Sequence, residues 1–106
     1  MNELLATISL CKRAGKLALG FDVVKRAVDD KTAVLVVVAS DISERTLNEM
    51  KKVCENRITM RKADITMAEI EFMLSKRFGV MAITDNGLAQ KINGILDRTN
   101  GEETIL

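Results

Sequence analysis

The chain has 106 residues, a formal charge of +1 and two cysteines, with no histidine, proline, tryptophan or tyrosine. That length makes one domain with an ordinary core, built from Val, Ile, Leu, Met and Ala because Phe21, Phe72 and Phe78 are the only aromatics. Without His, without CxxC spacing and without an apolar run of roughly 18 residues, most hydrolase, oxidoreductase, zinc and membrane-spanning readings fall away.

Leu4, Leu5, Ile8, Leu10 and Cys11 recur at near-helical spacing, and Gly15 supplies a stop, so a first helix is expected over about residues 2 to 14. The opening "MNELLATISLCKRAGK" carries Glu3 and reads as an amphipathic helix, not a signal peptide, which implies a cytoplasmic protein. Cys11 and Cys54 then read as reduced thiols in or near the core. "KLALG" fits a brief strand. Gly20 permits a tight turn, and Asp22 suits the first turn of a second helix ending near Asp29, with Val23, Val24, Ala27 and Val28 as its buried face.

"TAVLVVVAS" is a β-branched run without alternation, the pattern of a strand covered on both faces. Asp41 and Ser43 are candidate caps for a helix over about residues 43 to 56, which buries Leu47, Met50, Val53 and Cys54. "ITM" follows as a short strand. "TMAE" from Thr66 to Glu69 matches a capping box, with Ile70, Met73 and Leu74 behind it. "FGVMAIT" is a second apolar strand, and "DNGLAQKINGILDR" restarts a helix through Leu88, Ile92, Ile95 and Leu96. The tail, residues 99–106, is expected to be flexible. Strand and helix patterns alternate with no linker or repeat, so residues 1–106 form a single α/β domain, a three-layer α-β-α sandwich around a small mixed sheet.

Positive charge is concentrated in "CKRAGKLALGFDVVKRAV", where Lys12, Arg13, Lys16, Lys25 and Arg26 stand against the single acid Asp22. If the two helices meet at the "GFD" turn of Gly20, Phe21 and Asp22, all five cations can border one concavity into which free N–H groups of a helix start point. A phosphate backbone is the natural partner. The plainer reading makes these residues a solvated surface, with Lys12 and Arg13 complementing the end of the first helix. A second basic group, Lys76 and Arg77 beside Phe78, could pack against unstacked bases, or could be an ordinary helix end with Phe78 turned inward.

"AGKL" lacks the first Gly and the hydroxyl of a phosphate-binding loop. Asp41 and Asp85 follow the two principal strands, where two carboxylates could hold Mg²⁺, but each also precedes a helix and reads more simply as a cap. No cofactor motif and no metal site emerge.

Together "CKRAGKLALGFDVVKRAV", "LVVVASDISERTLNEMKKVCE" and "FGVMAITDNGLAQKI" resemble the ribosomal kink-turn RNA-binding superfamily, the L-seven-Ae/L-thirty-e type, in particular its short bacterial ribosomal-protein-like members. The resemblance runs from about Leu5 to Ile95 and implies an α-β-α sandwich that binds structured RNA and performs no reaction. In that family a Gly-x-Asn-Glu-x-x-Lys segment enters the RNA at the kink, and a hydrophobic loop before the last strand covers a flipped-out base. Here Gly20 matches the Gly, while Asp22, Val23 and Arg26 stand at the Asn, Glu and Lys positions. Asp22 cannot donate as an amide would, and Val23 lacks a carboxylate to accept from a guanine edge. Glu71 and Ser75 replace glycines usual in the loop.

The electrostatic part of the pattern remains, and phosphate contacts give affinity without a base code. The resemblance therefore implies structured RNA, ribosomal RNA first, with other ribosomal or translation proteins as further partners and no membrane. The alternative is a protein-interaction or small-ligand module on the same scaffold.

Overall fold

The computed structural model describes residues 2–99 and residue 105. Helix α1 (Glu3–Arg13) leads into strand β1 (Leu17–Leu19), followed by α2 (Phe21–Asp29), β2 (Leu35–Val38), α3 (Glu44–Cys54), β3 (Met60–Lys62), α4 (Met67–Leu74), β4 (Val80–Ile83) and α5 (Asn86–Thr99). The four strands form one sheet in the order β1-β4-β2-β3. β2 and β3 are parallel, whereas β4 lies antiparallel to both β1 and β2. The fold is the expected three-layer α/β sandwich with a mixed sheet.

Both principal strands are buried throughout because each face of the sheet carries its own core. Leu35, Val37, Met81 and Ile83 face α1, α4 and α5, joining Ile8, Ile70, Ile92 and Leu96. Val36, Val38, Val80 and Ala82 face α2 and α3, joining Val24, Met50 and Cys54. This two-sided cover explains why the strands read as continuous apolar runs. The thiols are buried one on each side.

Three expectations shift. The third strand lies at Met60–Lys62 and not at Ile58–Met60. It carries a buried arginine that composition does not suggest: Arg61 is 4% exposed, and its Nη1 donates to Asp97 Oδ1 at 2.7 Å and to the Asn93 backbone oxygen and Oδ1 at 3.3 and 3.2 Å. Val23 is exposed, not buried, because it stands on the outer side of the first turn of α2. Asp41 does not cap the helix that follows it. Its Oδ1 accepts from the Met67 N–H at 2.9 Å and holds the start of α4, while Ser43 caps α3 and Thr66 with Glu69 closes the expected capping box. Of the tail, only Thr99, which ends α5, and Ile105, whose N–H donates to the Met60 carbonyl at 2.8 Å, lie within the described residues.

Candidate nucleic-acid interface

Strands β1, β2 and β3 point the same way and each passes into a helix, so α2, α3 and α4 all begin at one end of the sheet. β4 enters the sheet at that same end from the loop 75–79, since the Gly20 N–H donates to the Val80 carbonyl and the Ala39 N–H to the Gly79 carbonyl. A groove of about 280 Å³ lies where these segments meet. Gly20 and Phe21 come from the start of α2, Ile42, Ser43 and Thr46 from that of α3, Met67 from α4, and Arg77, Phe78 and Gly79 from the loop. Its floor is apolar and its rim carries hydroxyls and a guanidinium.

Gly20 sits at φ 94° and ψ 156°, a backbone region essentially restricted to glycine, and the Phe78 ring would lie 3.5 Å from a Cβ placed there. The ring thus stands over the face of Gly20 that a side chain would occupy. Gly20 is the N-cap of α2 and offers no side-chain acceptor, so the first-turn N–H groups of α2 meet no side-chain cap. The starts of α1, α3, α4 and α5 are each engaged by a side chain, from Asn2, Ser43, Thr66 and Asp85. Asp85 is thus a cap: its Oδ2 accepts from the Leu88 N–H at 2.9 Å.

The predicted cations separate into groups. Arg77 joins Gly20 and Phe21 at the groove, in a 3.6 Å pair with Glu71. Lys12 reaches across from α1, its Nζ donating to the Leu74 carbonyl at 3.1 Å, and so ties α1 to the residue just before Ser75, Lys76 and Arg77. Lys25 turns along its own helix toward Asp29, at 3.8 Å. Lys16 lies at the far end of β1 from Gly20, where its carbonyl accepts from the Thr84 N–H. The five residues of the basic stretch do not surround one concavity, because a strand of three residues separates Lys16 from Gly20.

Pairing distinguishes the arginines. Arg45, Arg57, Arg61, Arg77 and Arg98 each meet a carboxylate, whereas Arg13 and Arg26 have no ion pair among the described residues. Asp22 occupies the first turn of α2 beside the groove. Phe78 is half-buried. Among the described residues no group of three or more His, Cys, Asp or Glu could hold a metal ion, and no helix is long and apolar enough to cross a membrane. Burial pushes the Cys54 thiol up to about 11, and burial, then Asp85, raises Cys11. Burial thus disfavours the thiolate form at both positions.

The family model described as "Ribosomal protein L7Ae/L30e/S12e/Gadd45 family" matches residues 2–92. The chain belongs to that family. Among L7Ae-type relatives it is 32% identical over 90 residues to "RNA-binding protein YlxQ" of Enterococcus faecium, across 85% of this chain and 87% of that protein. The fold also matches a protein described as of unknown function from Bacillus halodurans C, with a TM-score of 0.81 at 21% identity, over 92% of this chain and 99% of that one. A Giardia lamblia 15.5kD RNA binding protein matches with a TM-score of 0.72 at 16% identity, over 92% of this chain and 85% of its own. The ribosomal-protein-like resemblance of the sequence is thereby established. Sequence reasoning missed Ile42, Ser43, Thr46 and Met67, because they reach the groove only through the order of strands in the sheet.

Proposed function

We propose that this chain is a cytoplasmic RNA-binding protein of the translation machinery that takes structured, kink-turn-like RNA, with ribosomal RNA as its first candidate, and catalyses no reaction. The carrying observation is that Gly20 and Phe21, at an uncapped helix start, meet Arg77 and Phe78 across one groove. Family membership and the RNA-binding relative support the reading.

Each component has a physical task. The open N–H groups at the start of α2 suit phosphate oxygens, as helix N-termini generally do. Arg26, unpaired on the same helix, adds a full charge, and Arg77 can exchange its loose pair with Glu71 for a phosphate. Phe21 and Phe78 offer apolar surface for an unstacked base. Lys12, held by the Leu74 carbonyl just before the loop, and Lys76 within that loop would flank this contact, and Arg13, Lys16 and Lys25 would meet a longer RNA further out. Asp22 accepts but does not donate, so the base edges it favours are the imino and amino groups of guanine or the amino group of cytosine.

Filter binding of a kink-turn RNA and of a plain duplex across a salt series tests this. With about five phosphates neutralised, log K is expected to fall against log salt with a slope of roughly −3.5 to −4.5. Arg26→Ala should weaken binding and reduce the slope by about one, whereas Lys51→Ala, in the last turn of α3, should change neither. Equal affinity for duplex and kink-turn would remove the kink preference, and no binding at low salt would remove RNA altogether.

A further inference from the structure

Helix α4 is apolar nearly all the way round. Six of its eight residues are Met67, Ala68, Ile70, Phe72, Met73 and Leu74, yet only Ile70 and Leu74 are buried. A helix of that composition is ordinarily covered on more than one side. Phe72 is 89% exposed, the most exposed large hydrophobic side chain among the described residues. With Leu5, Ala68 and Met73 it walls a groove of about 450 Å³ between α1 and α4, in which Asn2 and Glu69 supply the polar lining. An aromatic anchor beside an adaptable Met is the composition of a protein-docking surface.

Charge decides what fits there. α4 bears Glu69 and Glu71 and no cation, and Glu3 opens α1 beside Asn2. Glu3 and Glu71 are each paired, with Arg98 at 3.0 Å and Arg77 at 3.6 Å. Glu69, the acid that lines the groove, bonds only to Thr66 of its own capping box and meets no cation among the described residues. The cation that α1 sends to α4, Lys12, is held at the last residue of that helix by the Leu74 carbonyl, whereas Glu69 stands in its first turn. The unpaired carboxylate of Glu69 in its lining disfavours a polyanion there. A second copy would bring the same α4 acids against their own image, which opposes self-docking.

We propose that the groove between α1 and α4 docks a cationic amphipathic helix of a partner protein. An apolar side chain of that helix packs on Phe72 and Met73, and its Lys or Arg side chains meet Glu69. This surface is separate from the groove at Gly20, so the chain can hold RNA and a basic protein segment together.

The test uses the full chain and a fluorescein-labelled Leu/Lys amphipathic peptide of about 14 residues, the length at which an isolated helix becomes viable, with a Leu/Glu peptide of the same pattern as control. Fluorescence anisotropy should show the Leu/Lys peptide binding, more weakly as salt rises, and the Leu/Glu peptide not binding. Phe72→Ala truncates an exposed side chain, leaves the core intact and should lower peptide affinity at least about tenfold. Glu69→Gln keeps an oxygen for the capping box and should lower it about threefold. Neither variant should alter affinity for kink-turn RNA. Equal peptide binding by wild type and Phe72→Ala, or equal binding of the two peptides, overturns the proposal. Weaker RNA binding by Phe72→Ala, or a concentration-dependent dimer lost in that variant, overturns it in favour of RNA or a second copy as the occupant.

Discussion

Replacing Gly20 with Ala should destabilise the protein through the backbone alone. The added Cβ would lie 3.5 and 3.6 Å from Phe78 ring atoms, ordinary contact distances, so no side chain must move. The cost comes from φ 94° with ψ 156°, a region that strains any residue bearing a Cβ by about 1–3 kcal/mol. Relaxing φ to a negative value would pull the Gly20 N–H from the Val80 carbonyl, 3.0 Å away, and give up about 0.5–1.5 kcal/mol instead. At about 4–8 °C per kcal/mol for a domain of this size, the melting midpoint should fall by roughly 2–12 °C if the backbone relaxes and by roughly 4–24 °C if it stays strained. Circular dichroism at 222 nm suits the measurement, since a chain without Trp or Tyr gives little intrinsic fluorescence change. Gly94→Ala is the control: it stands within α5 with open space around it and should gain about 0.5–1 kcal/mol. A Gly20→Ala protein as stable as wild type, beside a stabilised Gly94→Ala, would refute the argument.

Two further outcomes concern buried groups. Asp97→Ala leaves the Arg61 guanidinium buried with Asn93 as its remaining partner among the described residues; because the Asp97 side chain is 67% exposed, the loss should be about 1–3 kcal/mol, below that of a fully buried pair. Arg61→Met also removes an Nε that has no hydrogen-bond partner in the structure, and urea unfolding should place it within about 1 kcal/mol of wild type; a larger loss than for Asp97→Ala would contradict this. Cys54, raised to about 11 in the fold, should resist iodoacetamide at pH 8 until the chain unfolds. Because the folded value is the higher one, its stabilising contribution is complete below the ordinary thiol value of 9.0 and is lost as pH rises through about 11, so Cys54→Ala should flatten the alkaline fall in melting midpoint.

Most of the architecture is legible in the chain because local signals agree. Val36 to Val38 announce a strand covered on both sides, and Thr66 with Glu69 announces a helix start. β3 is less legible, since its central Arg61 reads as surface until α5 brings Asn93 and Asp97 over it. The groove at Gly20 was legible only in halves. Gly20 and Phe78 are far apart in sequence, and nothing local states that β4 inserts between β1 and β2 to bring them together. The same insertion sends Lys16 away from Gly20, which counting cations along the chain could not reveal. Phe72 was half legible: the stripe of Ile70, Met73 and Leu74 leaves it off the covered face, but nothing local states that no other element covers so large a side chain.

The shared starting end of α2, α3 and α4 gives this molecule an axis. The helix starts gather their N–H groups at one pole, where Asp22, Glu44 and Glu69 lie in the first turns, and the other pole collects the carbonyl ends of α2 and α3 with Arg26, Lys51 and Lys52 in the last turns. Side-chain charge and helix dipole thus oppose each other at both poles, and only at α2, whose N-cap Gly20 has no side chain to offer, do the helix N–H groups lack a side-chain cap. An anion would therefore have to be held at short range by that one open helix start, since a total charge of +1 draws little from a distance.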